Sequence, residues 1–147
     1  MRLSSDLREF LGLLNAASVD YVIVGAHSLG FHGRPRYTGD LDILVARQPA
    51  NIKKLLAVLD QFGFSGHFQA ADFADPEQVI QLGRAPHRVD LLTSITGVPI
   101  EEALATKVAA KLDATPVFML SREALIRNKR ATGRPQDLAD LAALEED

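Results

Sequence analysis

The run Asp40-Leu41-Asp42-Ile43-Leu44-Val45 sets two acids at alternate positions of an otherwise apolar segment. In an extended strand, side chains two apart share a face, so Asp40 and Asp42 project together while Leu41 and Ile43 enter a core. Carboxylates that close raise each other's pKa and destabilise the strand unless a cation, an arginine or a proton neutralises them. Any fold that accepts this segment must bring a compensating group to the spot. A hard, oxygen-seeking cation such as magnesium is one solution. The alternative is a pair of turn and strand-edge aspartates, one bonding backbone amides near Gly39 and the other paired with Arg36.

A second apolar run, Arg88-Val89-Asp90-Leu91-Leu92, carries a third acid in its middle, where a buried charge is costly without compensation. If this strand lies beside the Asp40 strand, three carboxylates converge. That arrangement suits two divalent ions that clamp the attacking and leaving oxygens of a phosphoryl transfer. Otherwise Asp90 is a surface position on an edge strand.

The remaining segments read as alternating helices and strands. Leu7, Phe10, Leu11 and Leu14 form one helical stripe within a helix expected over Ser5 to Ala17, started by Ser4, Ser5 and Asp6. Tyr21-Val22-Ile23-Val24 has the composition of a buried strand and ends at Gly25. A short helix from Ala26 to Phe31, closed by Gly33, and a loop from Arg34 to Gly39 then lead into the acidic strand. Pro49 and Asn51 introduce a helix lined by Ile52, Leu55, Leu56, Leu59 and Phe62 and stopped by Gly63. Gln78 to Leu82 and Arg88 to Leu92 are expected to pair antiparallel across Gly83 to His87. A helix is predicted from about Ile100 to Leu112, a last strand over Pro116 to Leu120, and two closing helices, one capped by Ser121 and one opened by Pro135. The expected fold class is α/β, a mixed β-sheet flanked by helices, in one domain over residues 1–147.

Composition narrows the chemistry. The chain has no cysteine, which excludes disulfides, thiolate catalysis and cysteine-ligated zinc, and nothing points to an oxidising compartment. No apolar run approaches the ~20 residues needed to span a bilayer and the N-terminus lacks a signal-like pattern, so a cytoplasmic protein with no membrane partner is expected. A net charge of -3 argues against a domain devoted to gripping a nucleic-acid backbone.

The turn Val24-Gly25-Ala26-His27-Ser28 hands a strand over to a helix N-terminus, whose free amides and positive dipole suit a phosphate, and Ser28 adds a hydroxyl. Taken alone, a glycine at a strand end is an ordinary tight turn. Together with Asp40-Leu41-Asp42-Ile43 and the later Asp90, the pattern resembles the nucleotidyltransferase superfamily related to DNA polymerase beta, with Ala26 standing where that pattern has Gly or Ser. The stretch from Phe31 to Asp42, and the tail from Asn128 to Asp140, are similar to small bacterial nucleotidyltransferase-like proteins, including toxins of type IV toxin-antitoxin systems and minimal antibiotic-type enzymes.

This resemblance implies a nucleotidyltransferase fold and Asp40, Asp42 and Asp90 as ligands of Mg2+ or Mn2+, with Asp90 also the general base. It implies Gly25 and Ser28 as the phosphate turn. The implied reaction moves a nucleoside monophosphate from a nucleoside triphosphate, ATP in the first instance, to a hydroxyl of RNA, protein or a small molecule. For a toxin it implies a cognate antitoxin as partner.

Other residues have two readings each. Arg36 either touches a phosphate or braces the loop before the acids. Lys129, with Arg130 and Arg134, either binds the triphosphate or caps a helix C-terminus in solvent. His27 and His32 lack zinc-site spacing and are expected to be core or hydrogen-bonding residues. Asp137 and Asp140 complement the dipole of the helix opened by Pro135. Two rival functions remain: a non-catalytic nucleotide-sensing or partner-binding module, favoured by Ala26, and a metal-dependent phosphoesterase that would not need the glycine turn.

Overall fold

The computed structural model describes residues 4–32, 40–64, 66–83 and 88–145. Helix α1, Ser5–Ala16, is capped by Ser4, whose Oγ accepts the Leu7 amide at 3.2 Å. Strand β1, Tyr21–Val24, passes directly into helix α2, Gly25–Phe31. Strand β2, Asp40–Val45, is followed by helix α3, Pro49–Leu59, and by a wider turn over Asp60–Phe64 in which Gly63 has φ 106°. Strands β3, Val79–Leu82, and β4, Arg88–Leu92, pair antiparallel as expected. Helix α4, Ile100–Ala105, strands β5, Val108–Leu112, and β6, Thr115–Met119, and helices α5, Arg122–Thr132, and α6, Pro135–Glu145, complete the chain.

The expected helix from Ile100 to Leu112 is half correct. It stops at Ala105, and Val108 to Leu112 instead form a strand paired antiparallel with β6. Asp113 and Ala114 connect the two strands, both with positive φ (47° and 68°), as a two-residue hairpin with the twist of its strands requires. The small side chains Ala109 and Ala110 are good helix formers, so local propensity favours the wrong answer. Pairing with β6 overrides it.

All six strands form one mixed sheet in the order β3-β4-β2-β1-β6-β5. Strand alternation divides the core between its two faces. Tyr21, Ile23, Leu41, Ile43, Val45, Val89 and Leu91 pack with α1 and α3 on one face. Val22, Val24 and Leu44 pack on the other with Leu29 of α2, Ala103 of α4, Leu125 of α5 and Leu144 of α6. Asn51 ties α3 to the sheet: its amide accepts from Asp20 N at 2.6 Å and donates to the carbonyls of Asp20 and Ala46 at 3.0 and 2.8 Å. No helix among the described residues is long and apolar enough to cross a membrane.

Candidate active site

β2 lies parallel to β4 with Asp42 opposite Asp90 and Asp40 opposite Arg88. Because Leu41, Ile43, Val89 and Leu91 all enter the α1/α3 face, strand parity puts Asp40, Asp42, Arg88 and Asp90 together on the opposite face. The convergence expected of the three acids is therefore realised by register, with Asp90 on a strand between β2 and β3 rather than at an edge.

The compensating group is an arginine. Arg88 Nε and Nη2 donate to the two oxygens of Asp90 at 3.0 and 3.1 Å, and Nη2 also lies 3.1 Å from Asp40 Oδ2. The carboxylate hydrogen bonds hold the Arg88 guanidinium above its ordinary pKa. Arg88 donates no hydrogen bond to the third carboxyl, Asp42. Asp42 is pushed up to about 6, mainly by burial, then by the neighbouring charges of Asp90 and Asp40 and a hydrogen bond with Asp90. Among the described residues no three acids or histidines stand arranged as a ready-made metal cage. The donor chemistry does fit a hard divalent ion: carboxyl oxygens from two adjacent strands, with ionised Asp42 disfavoured by burial and beside Asp90 and Asp40.

Gly25 sits against this cluster from β1, whose last residue Val24 pairs with Asp42. It has φ +72°, and a Cβ there would collide with the Asp42 carboxylate, lying 3.1 Å from its Cγ and 3.2 Å from its Cβ. Both the backbone conformation and the acid thus demand glycine. Ala26, one residue on, is not among the described residues with positive φ, so its methyl carries no backbone strain. Gly25→Ala is expected to destabilise the fold by about 1–2 kcal/mol, from a left-handed conformation and a displaced carboxylate. In a double-mutant cycle of thermal unfolding, Asp42→Ala should recover part of that loss, whereas strict additivity would mean that Asp42 is not the obstacle.

Ser28 is fully buried, and its Oγ has no hydrogen-bond partner among the described residues. His27 is also buried, which lowers its pKa, while a hydrogen bond to the Asp40 backbone acts in the opposite direction. His32 shares its Nε2 with the Leu120 carbonyl at 2.8 Å. Both histidines are thus core or hydrogen-bonding residues, as expected from the sequence. Arg36 lies outside the described residues.

Lys129 is not solvated. It is buried where α5 meets α6, with Nζ 3.2 Å from Asp137 Oδ1 and 3.1 Å from Asp140 Oδ2. Arg134 closes the same cluster, its Nε 2.6 Å from Asp137 Oδ2, and this hydrogen bond is the main cause holding Asp137 well below the usual carboxylate range. Asp137 and Asp140 therefore do more than complement a helix dipole: they hold Lys129. Arg88 is the candidate-site residue that carried no expectation from the sequence. The signal was its spacing of two from Asp90, the same parity that paired Asp40 with Asp42.

A family profile described as nucleotidyl transferase of unknown function (DUF2204) matches residues 3–146. The fold is also that of an antigenic nucleotidyltransferase-like protein from Paracoccidioides brasiliensis, at TM-score 0.56 and 18% identity, covering 97% of this chain and 77% of that one. The antibiotic-resistance factor ANT(2'')-Ia has the same fold, at TM-score 0.54 and 12% identity over 95% of this chain and 80% of its own. Among curated proteins none matches the sequence significantly.

Proposed function

We propose that this chain, which belongs to the nucleotidyl transferase family just described, transfers a nucleoside monophosphate from ATP or another nucleoside triphosphate to an acceptor hydroxyl. The observation that carries this reading is the parallel register that sets Asp42 beside Asp90, with Gly25 packed against Asp42 at the start of α2.

Asp40, Asp42 and Asp90 would hold Mg2+ or Mn2+, which supplies charge neutralisation for the triphosphate and for the developing oxygen nucleophile. The protein's own part is positioning and proton handling. Gly25, lacking a side chain, lets the backbone approach phosphate oxygens, with the Ser28 hydroxyl and the side chains of Arg36 and Lys129 as further phosphate-binding candidates. The acceptor oxygen attacks the α-phosphorus as the bond to the bridging oxygen breaks. Pyrophosphate leaves with that electron pair, and the hydroxyl proton passes to the Asp90 carboxylate. RNA, protein and small molecules are the acceptor classes, and a toxin of this type would be neutralised by a cognate antitoxin.

The closed Arg88 bridge favours one competing reading, a nucleotide-sensing or partner-binding module in which Asp40 and Asp90 are paired within the fold. Incubation with α-labelled nucleoside triphosphates, Mn2+ and a cell extract separates the two. Label transferred to an acceptor, with stoichiometric pyrophosphate release, is expected. Binding of triphosphate without either product would establish the module, and phosphate release from esters without transfer would establish a phosphoesterase.

A further inference from the structure

Resting on the proposed divalent-cation site, we propose that Arg88 is a built-in counter-cation that competes with the divalent ion for the carboxylate oxygens of Asp40 and Asp90. The guanidinium already takes three of their oxygens: both of Asp90, and Oδ2 of Asp40. An ion drawn to the same oxygens must share their lone pairs with the fork and meet the guanidinium's positive charge at close range, so arginine and ion weaken each other's hold on these acids.

The geometry makes this a specific exchange. Arg88 lies on the same strand as Asp90, two residues away, so its backbone is fixed while its long side chain is free to swing clear. Its side chain is one-third exposed, against 11% for Asp90, so a route to solvent exists for the cation that must leave and not for the acid that must stay. Asp42 stands opposite Asp90 and accepts no hydrogen bond from the guanidinium, so an arriving ion meets its carboxyl without displacing Arg88. The metal-free protein is thereby held with Asp40 and Asp90 paired, and divalent-ion affinity is reduced in proportion to the population in which the fork is closed.

The test is Mn2+ binding by calorimetry, without nucleotide, on the full chain. Arg88→Gln removes both the fork and its charge and is expected to tighten Mn2+ binding about tenfold or more, corresponding to a fork open in roughly a tenth of molecules. Arg88→Lys keeps the charge but cannot make the two parallel bonds. It should also bind more tightly than the wild type, by a smaller factor. Arg88→Lys indistinguishable from wild type would overturn direct competition in favour of simple charge repulsion. An unchanged or weaker affinity in Arg88→Gln, with nucleotide affinity falling instead, would make Arg88 a phosphate ligand and likewise overturn it. Should Arg88→Gln fold poorly, the lysine variant alone decides. Asp42→Asn separates this proposal from the reading beneath it: Mn2+ binding lost in that variant but unaffected by both Arg88 variants sinks only the exchange, whereas Mn2+ binding that ignores Asp42 sinks the metal site and the exchange together.

Discussion

Asp42→Asn should leave the protein folded, eliminate its stabilisation by Mn2+ and reduce nucleotide transfer by at least the 10²–10³-fold typical of losing one group that stabilises transition-state charge. The same substitution should make the metal-free protein more stable at neutral pH. Asp42 is pushed up to about 6 in the folded state, first by burial and then by Asp90 and Asp40. A carboxyl raised above its unfolded value of roughly 4 favours folding while protonated, so its contribution is complete below about pH 4 and is lost as pH rises through about 6. The shift of about two units corresponds to roughly 3 kcal/mol at full strength, and partial exposure reduces it to about 1–2 kcal/mol. Thermal unfolding from pH 4.5 to 8 without metal should show the wild type losing ground to Asp42→Asn across that window. Parallel curves would mean that the acids do not share uncompensated charge.

The other large effect is expected at the α5–α6 junction. Lys129→Met should cost about 3 kcal/mol, the lower end for breaking a buried ion pair, because Asp140 and Asp137 lose their common ammonium while Arg134 still compensates Asp137. Asp137 is held low first by Arg134 and further by Lys129, so the wild type's advantage over the variant should be full above about pH 4 and shrink in stronger acid. Urea unfolding measures the loss directly. Triphosphate affinity of the folded variant separates the two roles considered for Lys129. An unchanged Kd with reduced stability makes it the staple of the α5–α6 junction, while a weakened Kd with unchanged stability would show that its ammonium serves the phosphates.

Much of this could be read from local pattern. The helical stripe of α1, the β-branched run of β1 and the alternation in β2 are periodicities of burial, and burial is what residue hydrophobicity reports. β5 was missed because Ala109 and Ala110 carry no strong strand preference, and because the Asp113-Ala114 turn lacks the glycine that usually marks a two-residue hairpin. Neither reading of Lys129 included a buried ion pair, because nothing local distinguishes a lysine in the last turn of a helix from one buried by the next helix.

The sequence by itself determined the alternation that makes Asp40 and Asp42 share a face, the apolar setting of Asp90, and the glycine after β1. Each of these follows from the geometry of one segment. Only the tertiary structure decided that β2 and β4 lie parallel with Asp42 opposite Asp90, that the Gly25 backbone abuts the Asp42 carboxylate, and that Arg88 forms ion pairs with Asp40 and Asp90. Strand order and register are set by how two helical layers cover both faces of one sheet. Electrostatic partners follow from that packing, because the energy between charges depends on distance in space and on burial, neither of which separation along the chain reveals.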